Sequence, residues 1–370
     1  MDKKIAVLPG DGVGPEVVEQ GVKVLEAIAD RFQHQFTFHY LDVGAAAIEK
    51  FGVPLPSNTL EVCQRCDAIL FGAVGDPKYD DLSSVQGRPE QGILQLRKKL
   101  GLFTNIRPVR TVPSLLHLSP LKKERAKNVD LVIYRELTGG IYFGEKGRNP
   151  DGSAYDVTTY HAREIERIAR LAFKQATKRR GKLTLVGKAS VLETSLLWRE
   201  TVCKISKQFP SVKLEFLHAD NAAMQIILNP REFDVILTDN LIGDILSDEA
   251  SAITGSIGLL PSASIGDGTP LFEPIHGSFP RAAGEDIANP MATILSVAMM
   301  MDHFKLYEEA SVIRHKVRHA LEKGIGTAEL HLDTVYSCSQ MGDMIAHLIT
   351  DHYELPHSNS VMGERVATII

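Results

Sequence analysis

The chain is predicted to be an α/β protein, with parallel strands in its sheet and helices on the sheet's faces. Short β-branched runs alternate with helical patterns almost from end to end, which is the signature of that architecture. Hydrophobic residues make up 44% and charged residues 24% of the chain, as in an ordinary globular protein. No linker rich in Gly, Ser or Pro divides the sequence, and no internal repeat on the order of 20–50 residues is present. At 370 residues the chain exceeds one small core and fits about two domains or one large α/β unit. Without a linker, two domains would exchange the chain more than once.

Ile5-Ala6-Val7-Leu8 reads as a buried strand. Pro15 to Asp30 follows as a helix, with Val18, Val22, Leu25 and Ala29 recurring at helical spacing. Phe36 to Val43 is strand-like, and Ala68-Ile69-Leu70-Phe71 is a strand running into a turn at Gly72. Val129 to Tyr134 is another strand. The polar, turn-rich stretch Gly144 to Tyr160 reads as a protruding arm or hairpin. His161 to Arg180 is a long amphipathic helix, apolar at Ile165, Ile168, Ala172 and Ala176 and basic opposite. Leu183–Val186, Leu214–Leu217 and Val235–Thr238 are three further strands, each followed by a helical stretch. Asp351 to Ile370 carries Pro, Ser and Asn before an apolar end, and reads as a helix with a disordered hinge and no assigned role.

Charge and composition exclude several functions. Forty-one basic against forty-six acidic residues leave a net charge of −5. That disfavours a nucleic-acid or anionic-membrane binder, which needs a basic surplus. No apolar run approaches the ~18 residues of a membrane span. The start, MDKKIAVLPG, has no apolar signal core. Four cysteines do not make a disulfide scaffold, so a reducing cytoplasm is the expected location.

Several groups of residues are suited to chemistry. Gly10-Asp11-Gly12-Val13-Gly14-Pro15-Glu16 lies between a strand and a helix but departs from the G-x-G-x-x-G of a Rossmann turn. Asp244 and Asp248 stand at i, i+4 in a helical segment, so both carboxylates share one face and repel unless compensated. Hard oxygen ligands so placed suit Mg²⁺ or Mn²⁺, with Asp220 as a third candidate. Two solvated surface acids remain the alternative. Arg97, Arg107 and Arg135 sit among apolar residues, where converging guanidinium groups would fork onto a di- or tricarboxylate. Taken singly, each also fits a structural ion pair. Lys188 closes an apolar strand, where desolvation would tune it as a general base, and Tyr142 is a second proton-transfer candidate. Cys63-Gln64-Arg65-Cys66 lacks a second pair at zinc spacing and reads as coincidental.

Together these segments resemble the metal-dependent β-decarboxylating dehydrogenases. The resemblance runs through LPGDGVGPEV, AVGDPKYD, RPEQGILQLRKKLGLFTNIRPV, RELTGGIYFGE, GDILSDEAS, GLLPSASIGDGTPLFEPIHGS and IANPMATILS, covering residues 1–335. It implies an isopropylmalate/isocitrate dehydrogenase-like fold that is not Rossmann: two α/β domains sharing a long mixed sheet. Residues 1–102 plus 255–370 would form the cofactor-side domain, and 103–254 a central domain with a dimerisation arm near 140–160. The implied reaction oxidises the 2-hydroxyl of (2R,3S)-3-isopropylmalate with NAD and releases the 3-carboxylate, giving 4-methyl-2-oxopentanoate for leucine biosynthesis. By the same resemblance Arg97, Arg107 and Arg135 clamp the carboxylates, while Glu90, Ile93, Leu94 and Val191 face the side chain. Asp220, Asp244 and Asp248 hold Mg²⁺ or Mn²⁺. Val13, Ser190, Glu273, His276, Gly277, Ser278, Arg281 and Asn289 meet the dinucleotide. Lys188 takes the hydroxyl proton and Tyr142 protonates the enol carbon. Asp220, Lys188 and Val191 would come from the partner subunit of a homodimer with shared sites.

Four positions depart from the family pattern. His276-Gly277-Ser278-Phe279-Pro280-Arg281-Ala282-Ala283-Gly284 carries Arg281 where the family has an Asp that accepts from the ribose hydroxyls of NAD. NAD preference is therefore expected to weaken and NADP to be accepted, although Ala282 does not supply the Tyr of NADP-using relatives. Gly187 and Ser190 replace Asp and Asn of the family's V-D-K-A-N, and Ile242 replaces Phe. Two alternatives stay open: a relative acting on another 2-hydroxy diacid (a 3-substituted malate, tartrate, isocitrate or homoisocitrate), and a non-catalytic protein that keeps the ligand site.

Overall fold

The computed structural model describes residues 1–80 and 87–351. Most of the stretch 351–370 thus lies outside the described residues. Along the chain the elements run β1 (Asp2–Gly10), α1 (Gly14–Phe32), β2 (Gln35–Tyr40), α2 (Ala45–Phe51), α3 (Ser57–Arg65), β3 (Ala68–Ala73), α4 (Glu90–Lys99), β4 (Thr104–Arg110), α5 (Lys123–Ala126) and β5 (Asp130–Glu136). Next come β6 (Lys146–Arg148), β7 (Ala154–Asp156), α6 (Ala162–Lys178), β8 (Lys182–Gly187), α7 (Glu193–Ser206), β9 (Lys213–His218), α8 (Ala219–Leu228), β10 (Val235–Thr238) and α9 (Asn240–Ala252). The last are β11 (Pro261–Ile265), β12 (Leu271–Pro274), α10 (Met291–His303), α11 (Tyr307–Glu322), β13 (Ile325–Gly326), β14 (Thr334–Val335) and α12 (Cys338–Thr350).

Two compact units result. The first comprises 1–96, 256–263 and 269–370, the second 97–255 and 264–268. The strand order β2-β1-β3-β12-β11-β4-β5-β10-β8-β9 makes a ten-stranded sheet, and β11 contributes residues to both units. The sheet is mixed: β4 and β5 run antiparallel, whereas β1 pairs in parallel with β2 and β3, and β10 with β5 and β8.

In the first unit Ile5, Ala6, Val7 and Leu8 are all fully buried, as a parallel strand covered on both faces requires. Helix α1 carries Pro15 in its first turn, where the fixed φ and missing N–H suit it, and is capped at its end by Gln33 in the left-handed region. Its apolar stripe (Val17, Val18, Val22, Leu25, Ile28) is buried, and α1 packs on α10 and α12. In the second unit the core gathers Val109, Leu131, Ile133, Val186, Ile226, Ile236 and Leu246. There α6 begins with a capping box: the Glu164 carboxylate accepts from the His161 backbone N–H at 2.7 Å. The stretch read as an arm contains the antiparallel β6–β7 hairpin, turned at Asn149–Ser153. No helix among the described residues is long and apolar enough to cross a membrane.

Strand β4 was not legible as a strand. Thr104, Asn105 and Arg107 are polar, yet each is buried, and Pro108 interrupts the run. The strand exists because it pairs with β5 along seven registered positions, from Thr104 opposite Glu136 to Arg110 opposite Asp130.

Candidate active site

The second unit brings two arginines and two aspartates together. Arg107 and Arg135 project from the antiparallel pair β4 and β5, while Asp244 and Asp248 share a face of α9. Arg107 donates from Nη1 to Asp248 Oδ1 at 3.1 Å and to Ser247 Oγ at 2.5 Å, and from Nε to Asn105 Oδ1 at 2.7 Å. The Arg135 Nη1 group donates to Asp244 Oδ1. Tyr142 donates its hydroxyl to the other Asp244 oxygen at 2.9 Å. The i, i+4 carboxylate repulsion expected from sequence is thus compensated by guanidinium groups that are 9% and 4% exposed.

Burial, then the neighbouring charge of Arg107, pulls the Arg135 pKa down to about 10, with Asp244 opposing. Arg97, in the last turn of α4, lies close enough for its charge to add to that effect. The charges of Arg97 and Arg107 thus both act on Arg135 within the second unit. Burial, then the hydrogen bond to Asp244, pushes the Tyr142 phenol up to about 12, so it carries its proton at neutral pH.

Several residues holding this cluster have no signal in the sequence. Asn240, 1% exposed, accepts from Arg135 Nε at 3.1 Å and Nη2 at 2.8 Å. Asp239 caps α9 by accepting from the Ile242 N–H, and burial raises its carboxyl to about 6. Glu136, fully buried beside Arg135, accepts from the N–H groups of Thr138 and Gly139 and pairs with Arg167. It thereby fixes the start of the segment that carries Tyr142.

Lys188 and Asp220 form a separate pair at 2.8 Å, joining the end of β8 to the first turn of α8. Lys188 is 35% exposed, so an ion pair rather than the expected desolvation defines its surroundings. The Lys188 hydrogen bond holds the Asp220 carboxyl below its usual range. Val191 is 73% exposed beside it, and Ser190 is exposed as well. A cavity of about 170 Å³ adjoins this strand end, lined by Gly187, Ser195, Trp198, Phe216 and Asp239 among others. No group of three or more His, Cys, Asp or Glu within the chain is placed to hold a metal, among the described residues. Asp244 and Asp248 nevertheless offer two hard oxygen donors on one face, the donor chemistry that suits Mg²⁺ or Mn²⁺.

The glycine-rich loop belongs to the first unit. Gly12 has φ +60°, and a Cβ there would lie 1.9 Å from Ser278 O. That close approach lets the Val13 N–H donate to Ser278 O at 2.8 Å, tying the loop to the 276–278 turn. The buried Asp11 carboxylate accepts from the N–H groups of Ala45, Ala46 and Gly75, at 2.9, 3.0 and 2.9 Å. Gly75 in turn sits against Glu90: a Cβ on it would meet Glu90 Oε1 at 3.0 Å.

His276 donates from Nδ1 to Gly277 O, and its buried Nε2 has no partner among the described residues. Burial lowers its pKa, which keeps the ring neutral. Gly277 has open space where a Cβ would be, and Phe279 and Arg281 are exposed beyond it. Glu273 and Ser278 are buried, and Asn289 donates to Glu329 at 2.9 Å. An orphaned ring nitrogen and an uncovered glycine turn fit a nucleotide lying along this edge. Ile93 is buried at 6% exposure and Leu94 is half-buried, so of the two only Leu94 presents substantial apolar surface. The C-x-x-C pair is inert: both thiols are free and buried, and burial pushes Cys63 up to about 12.

An α/β chain with a glycine loop, converging arginines and paired helical aspartates fits the β-decarboxylating dehydrogenases. The family model described as isocitrate/isopropylmalate dehydrogenase matches residues 4–345, and the chain belongs to that family. Within it, the chain is 51% identical over 333 residues to the 3-isopropylmalate dehydrogenase of Bacteroides fragilis, covering 90% of this chain and 94% of that one. It is also 51% identical over 347 residues to the Bacillus subtilis 3-isopropylmalate dehydrogenase, at 92% and 95% coverage. Among solved structures, isocitrate dehydrogenase from Methylococcus capsulatus superposes with a TM-score of 0.84 at 35% identity, covering 94% of this chain and 99% of that one. A β-decarboxylating dehydrogenase from Thermococcus kodakarensis gives a TM-score of 0.77 at 37% identity, with 94% and 96% coverage.

Proposed function

We propose that the protein catalyses the oxidative decarboxylation of (2R,3S)-3-isopropylmalate to 4-methyl-2-oxopentanoate in leucine biosynthesis, with NAD as hydride acceptor. The observation that carries this reading is the pair of buried guanidinium groups, Arg107 and Arg135, held against Asp244 and Asp248 with Tyr142 alongside. Arg97, Arg107 and Arg135 bind the two carboxylates and orient the 2-hydroxyl. Asp244 and Asp248, with Asp220 of the partner subunit, would hold Mg²⁺ or Mn²⁺, which supplies Lewis acidity toward the hydroxyl oxygen. Val13, Glu273, His276, Gly277, Ser278, Arg281 and Asn289, with Ser190 of the partner subunit, would hold the dinucleotide. Lys188 of the partner subunit takes the hydroxyl proton as hydride leaves C2. The 3-carboxylate then departs as CO₂, and Tyr142 delivers a proton to C3. Glu90, Ile93 and Leu94, with Val191 of the partner subunit, would face the isopropyl group. The enzyme works in the cytoplasm.

Initial rates on 3-isopropylmalate with Mn²⁺ test the reading: turnover that EDTA abolishes is the expected result. Because Arg281 replaces an acid, NADP is expected within about 100-fold of NAD in kcat/KM. A ratio below 0.01, about 2.7 kcal/mol of discrimination, removes any phosphate-binding role for Arg281. Should isopropylmalate be inert while another malate turns over, the departures at Gly187 and Ser190 mark a shifted substrate.

Helices α8 and α9 support a homodimer. Met224, Leu241 and Ile245 are 52%, 39% and 60% exposed on adjacent helices, an apolar patch that favours cover by a second copy. Ile245→Glu is expected to yield monomers at micromolar concentration in light scattering, with turnover lost in parallel. A fully active monomer would reject the shared site.

A further inference from the structure

Resting on the diacid reading above, we infer that Asn240 is a positioning residue: its amide aims Arg135 at the substrate carboxylate without cancelling the guanidinium's charge. Both ends of the Asn240 amide and its backbone N–H are engaged, reaching three different residues of the site. Oδ1 accepts both Arg135 Nε and Nη2, Nδ2 donates to Gly139 O at 3.2 Å, and the backbone N–H donates to Tyr160 Oη at 3.0 Å. One side chain thus joins the end of β5, the turn leading to Tyr142, and the first turn of α9.

The choice of an amide matters for charge. Arg135 already donates to the Asp244 carboxylate, and Arg107 pairs with Asp248. A carboxylate at 240 would accept the same two N–H groups and offset more of the Arg135 charge that an incoming carboxylate needs; an amide accepts them and stays neutral. The path of the arginine is fixed on its other side too. A Cβ on Gly243 would fall 2.7 Å from Arg135 Cγ, so the guanidinium reaches Asp244 across a glycine, with Asn240 Oδ1 accepting from its Nε and Nη2.

The test compares Asn240→Asp, which keeps shape and acceptor but adds charge, with Asn240→Ala, alone and combined with Arg135→Met. The expected result for Asn240→Asp is a KM for 3-isopropylmalate, and a calorimetric Kd, at least tenfold higher than wild type. Its KM for NAD moves less than twofold and its thermal melt is retained. Asn240→Ala weakens diacid binding in the wild-type background but by less than twofold in the Arg135→Met background, because the effect travels through Arg135. Diacid affinity within twofold of wild type in Asn240→Asp would overturn the inference. So would an equal loss of diacid and dinucleotide affinity, or an undiminished Asn240→Ala effect without Arg135. If Asn240→Asp fails to fold, the Ala cycle decides. If wild-type enzyme ignores 3-isopropylmalate, the substrate reading fails separately, and the variants are compared by calorimetry on malate, tartrate and isocitrate.

Discussion

Lys188→Met is expected to lower kcat on 3-isopropylmalate by about 10²–10⁴-fold, the range general-base catalysis supplies, while the Kd for the diacid changes little. The reasoning is geometric. Lys188 bonds through its side chain to Asp220 at 2.8 Å and through its backbone N–H to Ser195 Oγ at 3.0 Å. The second bond survives the substitution, so the β8 end stays in place and only the amine is lost. Mixing Lys188→Met subunits with Arg135→Met subunits makes the prediction sharper. Each variant alone has no complete site, whereas a mixed dimer regains one if Lys188 serves the partner's arginines. Absence of any regained activity in confirmed mixed dimers would place the base elsewhere.

The largest effect on stability is expected at Asp234, far from the chemistry. Its carboxylate is 1% exposed and accepts from Arg179 Nε at 2.7 Å and from the backbone N–H groups of Arg180 and Lys182. Asp234→Ala leaves Arg179 Nε, on a side chain 7% exposed, and two backbone N–H groups without their acceptor while Asp130 still holds Nη2, and the unmade bonds together cost about 3 kcal/mol. A urea titration following the second unit checks this; a loss below about 1 kcal/mol would mean that water replaces the carboxylate. Arg179 also bonds Asp130 at 2.8 Å. Burial pushes the Asp130 carboxyl up, but Arg110 and Arg179 together outweigh it and hold it below its usual value. A carboxyl depressed in the folded state contributes fully above its unfolded pKa and loses that contribution as pH falls through the folded one. This network therefore weakens only below about pH 4.

What the sequence made legible follows from how locally each feature is determined. Buried strands such as β1, β3 and β10 announce themselves as apolar runs because both their faces are covered. The i, i+4 spacing of Asp244 and Asp248 announces a shared helical face. Strand β4 carries no such pattern, since its buried Asn105 and Arg107 are chosen by the site they serve. Asn240 and Glu136 carry no pattern for the same reason: a polar residue is ordinary in sequence until folding surrounds it with the groups that need it. Lys188 shows the converse. An apolar strand suggested desolvation at its end, but β8 stops at Gly187, and the lysine emerges partly into solvent beside Asp220.

The interleaving of the two units has a consequence for synthesis on the ribosome. When Gly255 has left the exit tunnel, the second unit lacks only residues 264–268, and it can begin to fold while translation continues. The first unit is in the opposite position. Strand β3 has emerged but must wait for Leu271 and Phe272 before its second edge is paired, and α1 must wait for α10 and α12 to cover its apolar stripe. During that interval a bare strand edge and an apolar helix face stand uncovered on the nascent chain, a template for mispairing. The interval in which the first unit is open to mispairing therefore begins with the synthesis of β3 and α1 and closes only once α12 has been made.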